Sequence, residues 1–573
     1  MAEWLIYSLG ARDTSSNPAR RILFRSVVRK YIAFWKIFFF LSLEGPDEIS
    51  TVTEVIDHDE SESAISSFRE LILQNRPTII YFRFVASDIA QNTINVAFVG
   101  VTSDSKLVTY NTLNPSVAVS TLSITNLKSG DIISNIDFRP ATGELYGTAN
   151  RQLYVINSNT GVARAIGNPL DSSITGNIVL MEFDPVFDIL RYVTDTYAQA
   201  SVNPETGEIY SPSGLVKTLG QVGSFGYANN LAGSSKSDLY VINATVDALF
   251  RIDFSNNGAV TKVGSGLGVN IDDGIGFDIS PEGVGIACVK VGSQIVTYEI
   301  DLTTGAFGKK LGVINEPMLS SAIPTATVAY AVFTGNNSLG FFNMLSSGLT
   351  SFYKPITGLA ESETLHSIDM RPSNGQLFGL GSSSRLYTLN MGTATASTIG
   401  SGTAFTPALV GTKFSIDFNP QTDQIRVVSN QGQNLVLNPT TGAVQSVDTG
   451  LNPNNIIITN IAYSNNVANA EKTTLYDISS ALNQLYIQNP PNSGTLTAVG
   501  PLGVTIEEDQ GFDITGSTNT ALAVWTVGGK SSIYRISLNT GIATALPYTL
   551  PVSTIKSFTV GLVISGTSDI FRK

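Results

Sequence analysis

The chain has little of what most enzyme chemistry requires. Its 573 residues include one cysteine, Cys288, and two histidines, His58 and His366. A single cysteine excludes an internal disulfide framework and any Cys-based zinc site. Two histidines leave little room for His-dependent catalysis. Charged residues make up 14%, against about 25% in ordinary soluble chains. A net charge of −12 argues against a nucleic-acid surface, which needs a clustered basic field. No apolar run reaches the ~20 residues of a spanning helix. What is present is 42% hydrophobic residues and 51 glycines, a composition for a packed core joined by tight turns. At roughly four times the ~150 residues of one domain, the chain has room for two large domains or several small ones.

Residues 1–43 carry seven basic and two acidic side chains, a local balance of +5 that leaves −17 for the remainder. Arg20, Arg21, Arg25, Arg29 and Lys30 lead into the apolar run Tyr31 to Leu43, broken only by Lys36 and Ser42. The run has the length of a secretory signal core, although Ser42-Leu43-Glu44-Gly45-Pro46 is a poor cleavage site. Three readings stand: a signal or signal anchor, an amphipathic surface helix, or an unstructured extension that includes a miscalled start. Residues 44–84 open with nine acidic residues and one basic between Glu44 and Glu70, the composition of a solvated spacer.

The rest of the chain repeats on two scales. Ile136-Asp137-Phe138-Arg139-Pro140, with Gly143, Leu145, Tyr146 and Gly147 following, returns as Ile368-Asp369-Met370-Arg371-Pro372 with Gly375, Leu377, Phe378 and Gly379. Glu182-Phe183-Asp184-Pro185 with Asp188 and Arg191 returns as Asp417-Phe418-Asn419-Pro420 with Asp423 and Arg426. Tyr227-Ala228-Asn229-Asn230 returns as Tyr463-Ser464-Asn465-Asn466, and Gly276-Phe277-Asp278-Ile279 returns unchanged at Gly511 to Ile514. Order is kept and the offset drifts by only a few residues, so the chain is a tandem duplication.

Within each half, turns of the Asn/Thr-x-Gly kind recur at Gly161, Gly207, Gly258 and Gly305, and again at Gly442, Gly494 and Gly541. Short Tyr-, Val-, Ile- and Phe-rich runs separate them, and helical periodicity is hard to find beyond residue 85. Units of 40–50 residues with about four short strands are the signature of propeller blades. Leu153-Tyr154-Val155-Ile156 is apolar at every position, so both faces of that strand need cover, which radially packed blades supply. The expected fold is all-β: two tandem five-bladed β-propellers over residues 85–316 and 325–565, with one ten-bladed ring as the alternative, behind a non-propeller N-terminal extension.

The strings IDFRPATGELYG, IDFNPQTDQIRVVSNQGQNLVLNPTTGAV, TTLYDIS, LTAVGPLGV and GFDI resemble a bacterial family catalogued as domain of unknown function 4394. The resemblance covers about residues 95–550 as two copies, the second the closer. The first departs at Tyr197 to Ala200, against Gln431 to Asn434, and at Phe254 to Asn257, against Asn489 to Asn492. The resemblance implies a propeller fold and an extracytoplasmic location, secreted or envelope-associated. It implies no activity.

The acids Asp137, Glu182, Asp278, Asp369, Asp417 and Asp513 sit between apolar neighbours on what should be innermost strands. They either ring the channel and suit calcium or another oxygen-seeking cation, or bond to turn amides and arginines of the next blade. The ligand-binding candidates are Asp272 and Asp273, with Glu507, Glu508 and Asp509, clusters on loops entering each Gly-Phe-Asp-Ile strand. They could hold a cation or a basic partner, or simply be solvated. Asp188 with Arg191 and Asp423 with Arg426 read as turn-fixing ion pairs or an anion clamp. His366 aligns with Ser134, which excludes a catalytic role shared by both copies, and Cys288 lies in an apolar run as a buried thiol. The expected function is a non-catalytic binding or scaffold module for carbohydrate or protein. A cation-dependent hydrolase or lyase using channel carboxylates is the alternative.

Overall fold

The computed structural model describes residues 94–573, apart from 171–173, 197, 212–222, 254–258, 334–336, 346–347, 517, 551–554 and 564–573, together with four strands nearer the N-terminus. The chain divides into two units, Met1–Ile94 and Asn95–Lys573. In the first unit, Trp4–Tyr7, Ile79–Phe84, Ile37–Ser42 and Val55–Ile56 hydrogen-bond in that order as one antiparallel sheet. The apolar run Tyr31 to Leu43 thus contains a strand rather than a helix over Ile37–Ser42. Its Ile-Phe-Phe-Phe-Leu string favours extended backbone and pairs with Ile79–Phe84, another run of β-formers. No helix among the described residues is long and apolar enough to cross a membrane.

The second unit is built from ten four-stranded antiparallel sheets, numbered here 1 to 5 in the first half and 6 to 10 in the second. Its described residues contain one 3-10 turn, Pro491–Ser493, and no α-helix. Sheets 2 to 5 begin with the strands Asn135–Phe138, Ile178–Asp184, Ser224–Tyr227 and Asp273–Ile279, and each sheet runs on in sequence order. Sheet 1 is different: its strand Ala97–Thr102 pairs with Met318–Ala322 from the end of the half. Sheets 7 to 10 begin with Leu365–Arg371, Phe414–Asn419, Asn460–Tyr463 and Glu508–Ile514, and in sheet 6 Thr327–Phe333 pairs with Ile555–Val560. In each half these leading strands adjoin one another in a closed series of five. The first runs 318–322, 135–138, 178–184, 224–227, 273–279 and back, and the second repeats it.

Consecutive sheets lie face to face. In Leu153 to Ile156 the even and odd positions pack on different neighbours: Tyr154 and Ile156 join Val99 and Val101 of sheet 1, while Leu153 and Val155 join Met181 and Phe183 of sheet 3. Each fully buried aliphatic of this kind is worth about 1.5–3 kcal/mol. The outer turns link the sheets as well. Asn157, Asn203, Asp301 and Asn438 each accept two main-chain N–H bonds through their side-chain oxygen, at 2.7–3.2 Å. The glycine that closes the turn at Gly305 has φ +69°, and a Cβ there would lie 2.3 Å from the Val263 carbonyl of sheet 4. Both the left-handed backbone and the close approach require glycine. Gly258, another of the repeated turn glycines, lies outside the described residues.

The halves meet along the turns that follow the leading strands of sheets 2 to 4. Ala141 and Ala232 pack against Tyr330 and Phe341 of sheet 6. The Tyr330 hydroxyl donates to the Ala141 carbonyl at 2.7 Å. Asn343 bonds the main chain of Ala232 in both directions, at 3.0 and 2.9 Å. Every residue of strands Thr327–Phe333 and Ser338–Leu345 is buried, one face against sheet 10 and the other against sheet 7 and this junction.

Candidate functional site

All six repeated acids lie on leading strands, as expected. Each accepts a bond from the main chain of the next sheet. Asp137 accepts from Phe183 N at 2.6 Å, Glu182 from Tyr227 N at 3.2 Å and Asp278 from Ile323 N at 2.6 Å. In the second half Asp369 accepts from Phe418 N at 2.7 Å, Asp417 from Tyr463 N at 2.9 Å and Asp513 from Val560 N at 2.7 Å. Serines two residues earlier repeat the device: Ser367 accepts from Ile416 N and Ser415 from Ile461 N, both at 3.1 Å.

Six carboxylates in so dry a place cannot all be charged. Burial pushes Asp278 up to about 7 and Asp513 up to about 6, against the N–H groups that favour their charged forms. Burial and then the neighbouring carboxylates hold Asp137, Glu182, Asp369 and Asp417 well above the usual range. Thr559 makes the proton sharing concrete. Its Oγ1 lies 2.6 Å from Asp513 Oδ2 and 3.2 Å from Asp369 Oδ1. One hydroxyl proton serves only one of these contacts, so the other needs a proton on a carboxyl group. Ligand atoms of Asp369, Asp417 and Asp513 all lie within 4.8 Å of one another, a spacing that admits a small cation as well as shared protons.

The loop acids fasten hairpins. Asp272 Oδ2 accepts from Gly292 N at 2.6 Å, and Glu507 accepts from Gly528 N and Gly529 N at 3.0 and 2.9 Å. Each thereby closes the turn between the second and third strands of its sheet. Asp273 accepts from Gly274 N at 2.9 Å and is exposed, as is Glu508. Asp509 turns inward, where Trp525 Nε1 donates to it at 3.0 Å and Thr459 also bonds it. Burial raises its pKa.

The expected pairing of Asp188 with Arg191, and of Asp423 with Arg426, is corrected by the structure. Arg191 binds Asp184 at 2.6 Å and Arg426 binds Asp448 at 2.8 Å. Asp188 instead takes both Nε and Nη2 of Arg139, at 2.9 and 2.5 Å, and Asp423 takes the same two atoms of Arg371. Asp188 and Asp423 are in the left-handed region, φ 52° and 55°, which turns the carboxylates back toward the preceding sheet. Arg139 also meets Glu205 at 3.2 Å, and burial raises Glu205 to about 7.

Cys288 is fully buried, 3.7 Å from the Thr297 hydroxyl, and burial pushes its thiol up to about 11. His366 packs on Phe414, and burial followed by Lys556 holds it down to about 4. A groove of about 520 Å³ on the outer part of sheet 4 is lined by Tyr240, Arg251, Asp253, Thr261 and Lys262 among others. Its Arg251 pairs with Asp238 and Asp253 at 3.3 and 3.5 Å. Sequence reasoning missed the groove and also Asp477, a carboxylate in an apolar strand where the first half has Val241. That mismatch between the copies was its one visible signal.

A duplicated all-β chain, with a closed series of leading strands in each half and carboxylates bonded from sheet to sheet, defines the class. The family model for domain of unknown function 4394 matches residues 106–321 and 339–557. The chain therefore belongs to that family, as two copies. No curated protein matches it. Among solved structures, it is similar to two of the extracellular domain of BT4673 from B. thetaiotaomicron, described in one as a one-component system and in the other as a hybrid two-component system. Identities are 9% and 10%, and the TM-score is 0.23 for both. The matches cover 82% and 81% of this chain, and 68% and 67% of those chains. A likeness this slight carries nothing about activity.

Proposed function

We propose that each half is a closed five-bladed β-propeller and that the pair works as a non-catalytic extracytoplasmic binding or scaffold module, its ligand a carbohydrate or a protein. Two separate closing pairs, 318–322 on 97–102 and 555–560 on 327–333, support two rings over one ring of ten. The limits expected from the sequence, 85–316 and 325–565, then change for the first propeller, which we place at 95–322 so that it includes its closing strand. Ahead of it we keep the signal- or anchor-like segment at 1–43 and the acidic spacer at 44–84. The observation that carries the reading is the bonding of all six repeated carboxylates to the main chain of the next sheet. Those side chains work as fasteners, and recognition falls to the loops. Of the acids on the equivalent loop of each propeller, Asp272, Asp273, Glu507 and Glu508 are exposed and are its ligand-facing candidates, whereas Asp509 turns inward.

A cation-dependent hydrolase or lyase is the second reading, resting on the Asp369, Asp417 and Asp513 spacing. One experiment separates the two. The full chain is screened on a glycan array with calcium and with EDTA, and each bound glycan is then assayed for release of new reducing or unsaturated ends. Saturable binding without product supports the binding module. Product release abolished by EDTA and by Asp417→Asn overturns it.

A further inference from the structure

Sheets 8 and 9 face each other across a polar layer that has no counterpart in the first half. On strand Leu475–Ser479, Leu475 packs with Val428 and Leu451, which directs Leu475, Asp477 and Ser479 toward sheet 8. Gln488 stands opposite Leu475 in the register and shares that face. Asp477, Ser479 and Gln488 are 0%, 0% and 1% exposed. Neither oxygen of Asp477, nor Gln488 Oε1, nor Ser479 Oγ meets a hydrogen-bond partner in the protein. The Gln488 amide nitrogen is already used, donating to the Pro491 carbonyl at 2.6 Å. Arg426, the nearest cation, is engaged too, with Tyr463 at 3.1 Å, Asn434 at 2.5 Å and Asp448 at 2.8 Å. Asp477 and Gln488 are diagonal neighbours in the register, within reach of each other, and together present three oxygen acceptors without partners. Ser479 lies about 13 Å further along the strands from Gln488 and stands apart.

The first half fills the equivalent layer with Val241 for Asp477, Ile252 for Gln488 and Asn243 for Ser479, with Val241 and Ile252 packed on Leu180 and Val193. Packing alone therefore does not call for a carboxylate here. Charge sets the kind of guest. Arg426 and Asp448 cancel, so an ionised Asp477 leaves the layer one positive charge short. A divalent ion would overshoot beside Arg426. A lone proton would quiet one carboxylate oxygen and leave the other unmet.

We propose that Asp477 and Gln488 supply the side-chain ligands of a buried site for one monovalent alkali cation between sheets 8 and 9. The ligands are hard oxygens, which suit such an ion, and its charge offsets the cost of a buried carboxylate. The site is distinct from the axial carboxylates and does not depend on the nature of the module's ligand.

The test is thermal unfolding of the full chain at pH 8, in tetramethylammonium chloride and then in sodium or potassium chloride at equal ionic strength. The expected result is a saturable rise in Tm of about 3 °C with sodium or potassium. The rise should vanish in the Asp477→Val, Gln488→Ile double variant, which installs the first-half pair. It should also shrink in Asp477→Asn, which keeps the volume and serves if the double variant does not fold. Equal melting in all three salts overturns the site. So does an alkali-dependent rise that persists in Asp477→Asn. An Asp477→Asn chain as stable as the parent, with no salt preference in either, would show that a proton is the occupant.

Discussion

The two halves carry the same framework and differ in what surrounds it. Arg139 and Arg371 occupy equivalent turns and make the same two-pronged pair, with Asp188 and Asp423. At the junction between halves the first pair is sealed, with side chains 1% and 8% exposed, whereas the second is 19% and 38% exposed. The neighbours follow suit. Ala141, Ala232 and Gly233 at the buried rim correspond to Ser373, Ala468 and Asn469 at the open one. A duplicated unit thus becomes a socket in one copy and a solvated end in the other through a few small or polar residues. Terminal repeats of stacked arrays need a polar outer face for the same reason. The interior differs in the opposite sense: the second half is polar between sheets 8 and 9 where the first is aliphatic. Identical topology therefore says little about which surface is free.

The largest test of this contrast is charge removal at the two arginines. Arg139→Ala strands Asp188 and Glu205 in the junction and should cost about 3–5 kcal/mol, while Arg371→Ala should cost about 1 kcal/mol or less. Urea midpoints measure both, and equal losses would break the comparison. Next comes the socket itself. A Cβ on Gly233 would lie 2.4 Å from the Phe341 ring, at φ +80°, so Gly233→Ala should cost about 1–3 kcal/mol. Asn469 is itself left-handed, φ 57°, so Asn469→Ala at the open rim should cost about 1 kcal/mol from the backbone alone.

Titration sharpens the comparison further. Asp278 and Asp513 keep protons in the fold that the unfolded chain has lost. The folded state therefore binds more protons, and stability falls as pH rises from about 4 to about 7, by up to ~1.4 kcal/mol per pH unit for each such group. His366, held down to about 4, works in the opposite direction between about 4 and 6.5 and only partly offsets this. The first half's Asp278 titrates higher because Ala322 stands where Thr559 donates to Asp513. Thr559→Ala should raise Asp513 toward Asp278, read from the pH dependence of the urea midpoint. The smallest effect is expected from calcium. If the axial acids are fasteners, millimolar calcium after EDTA should move Tm by less than ~1 °C. A specific ion at 100 times its Kd would add about 2.7 kcal/mol.

Much of this was legible in the residues. The duplicated strings located the halves, because equivalent positions in one fold keep equivalent side chains. Consecutive apolar positions such as Leu153 to Ile156 announced strands covered on both faces, and the Asn/Thr-x-Gly turns marked sheet ends. The apolar-acid-apolar context placed Asp137 and its counterparts on the leading strands. Their partners were not legible, since a main-chain N–H in the next sheet leaves no mark in sequence. Spacing also misled at Asp188 and Arg191. Three residues apart suggested a local pair, but the positive φ at Asp188 turns its carboxylate to Arg139, 49 residues away.

The sequence by itself determined the all-β class, the duplication and the identity of the acids that recur, because composition, period and repetition are properties of the chain read in order. Only the tertiary structure decided that each half's last strand closes on its first, that one Arg–Asp pair is sealed while its twin faces water, and that Asp477 and Gln488 share one dry layer. These depend on which surfaces meet, and in a chain of near-identical sheets local preference is the same at every candidate contact. Burial, which sets the strength of each ion pair and the charge of each carboxylate, exists only once the sheets have stacked.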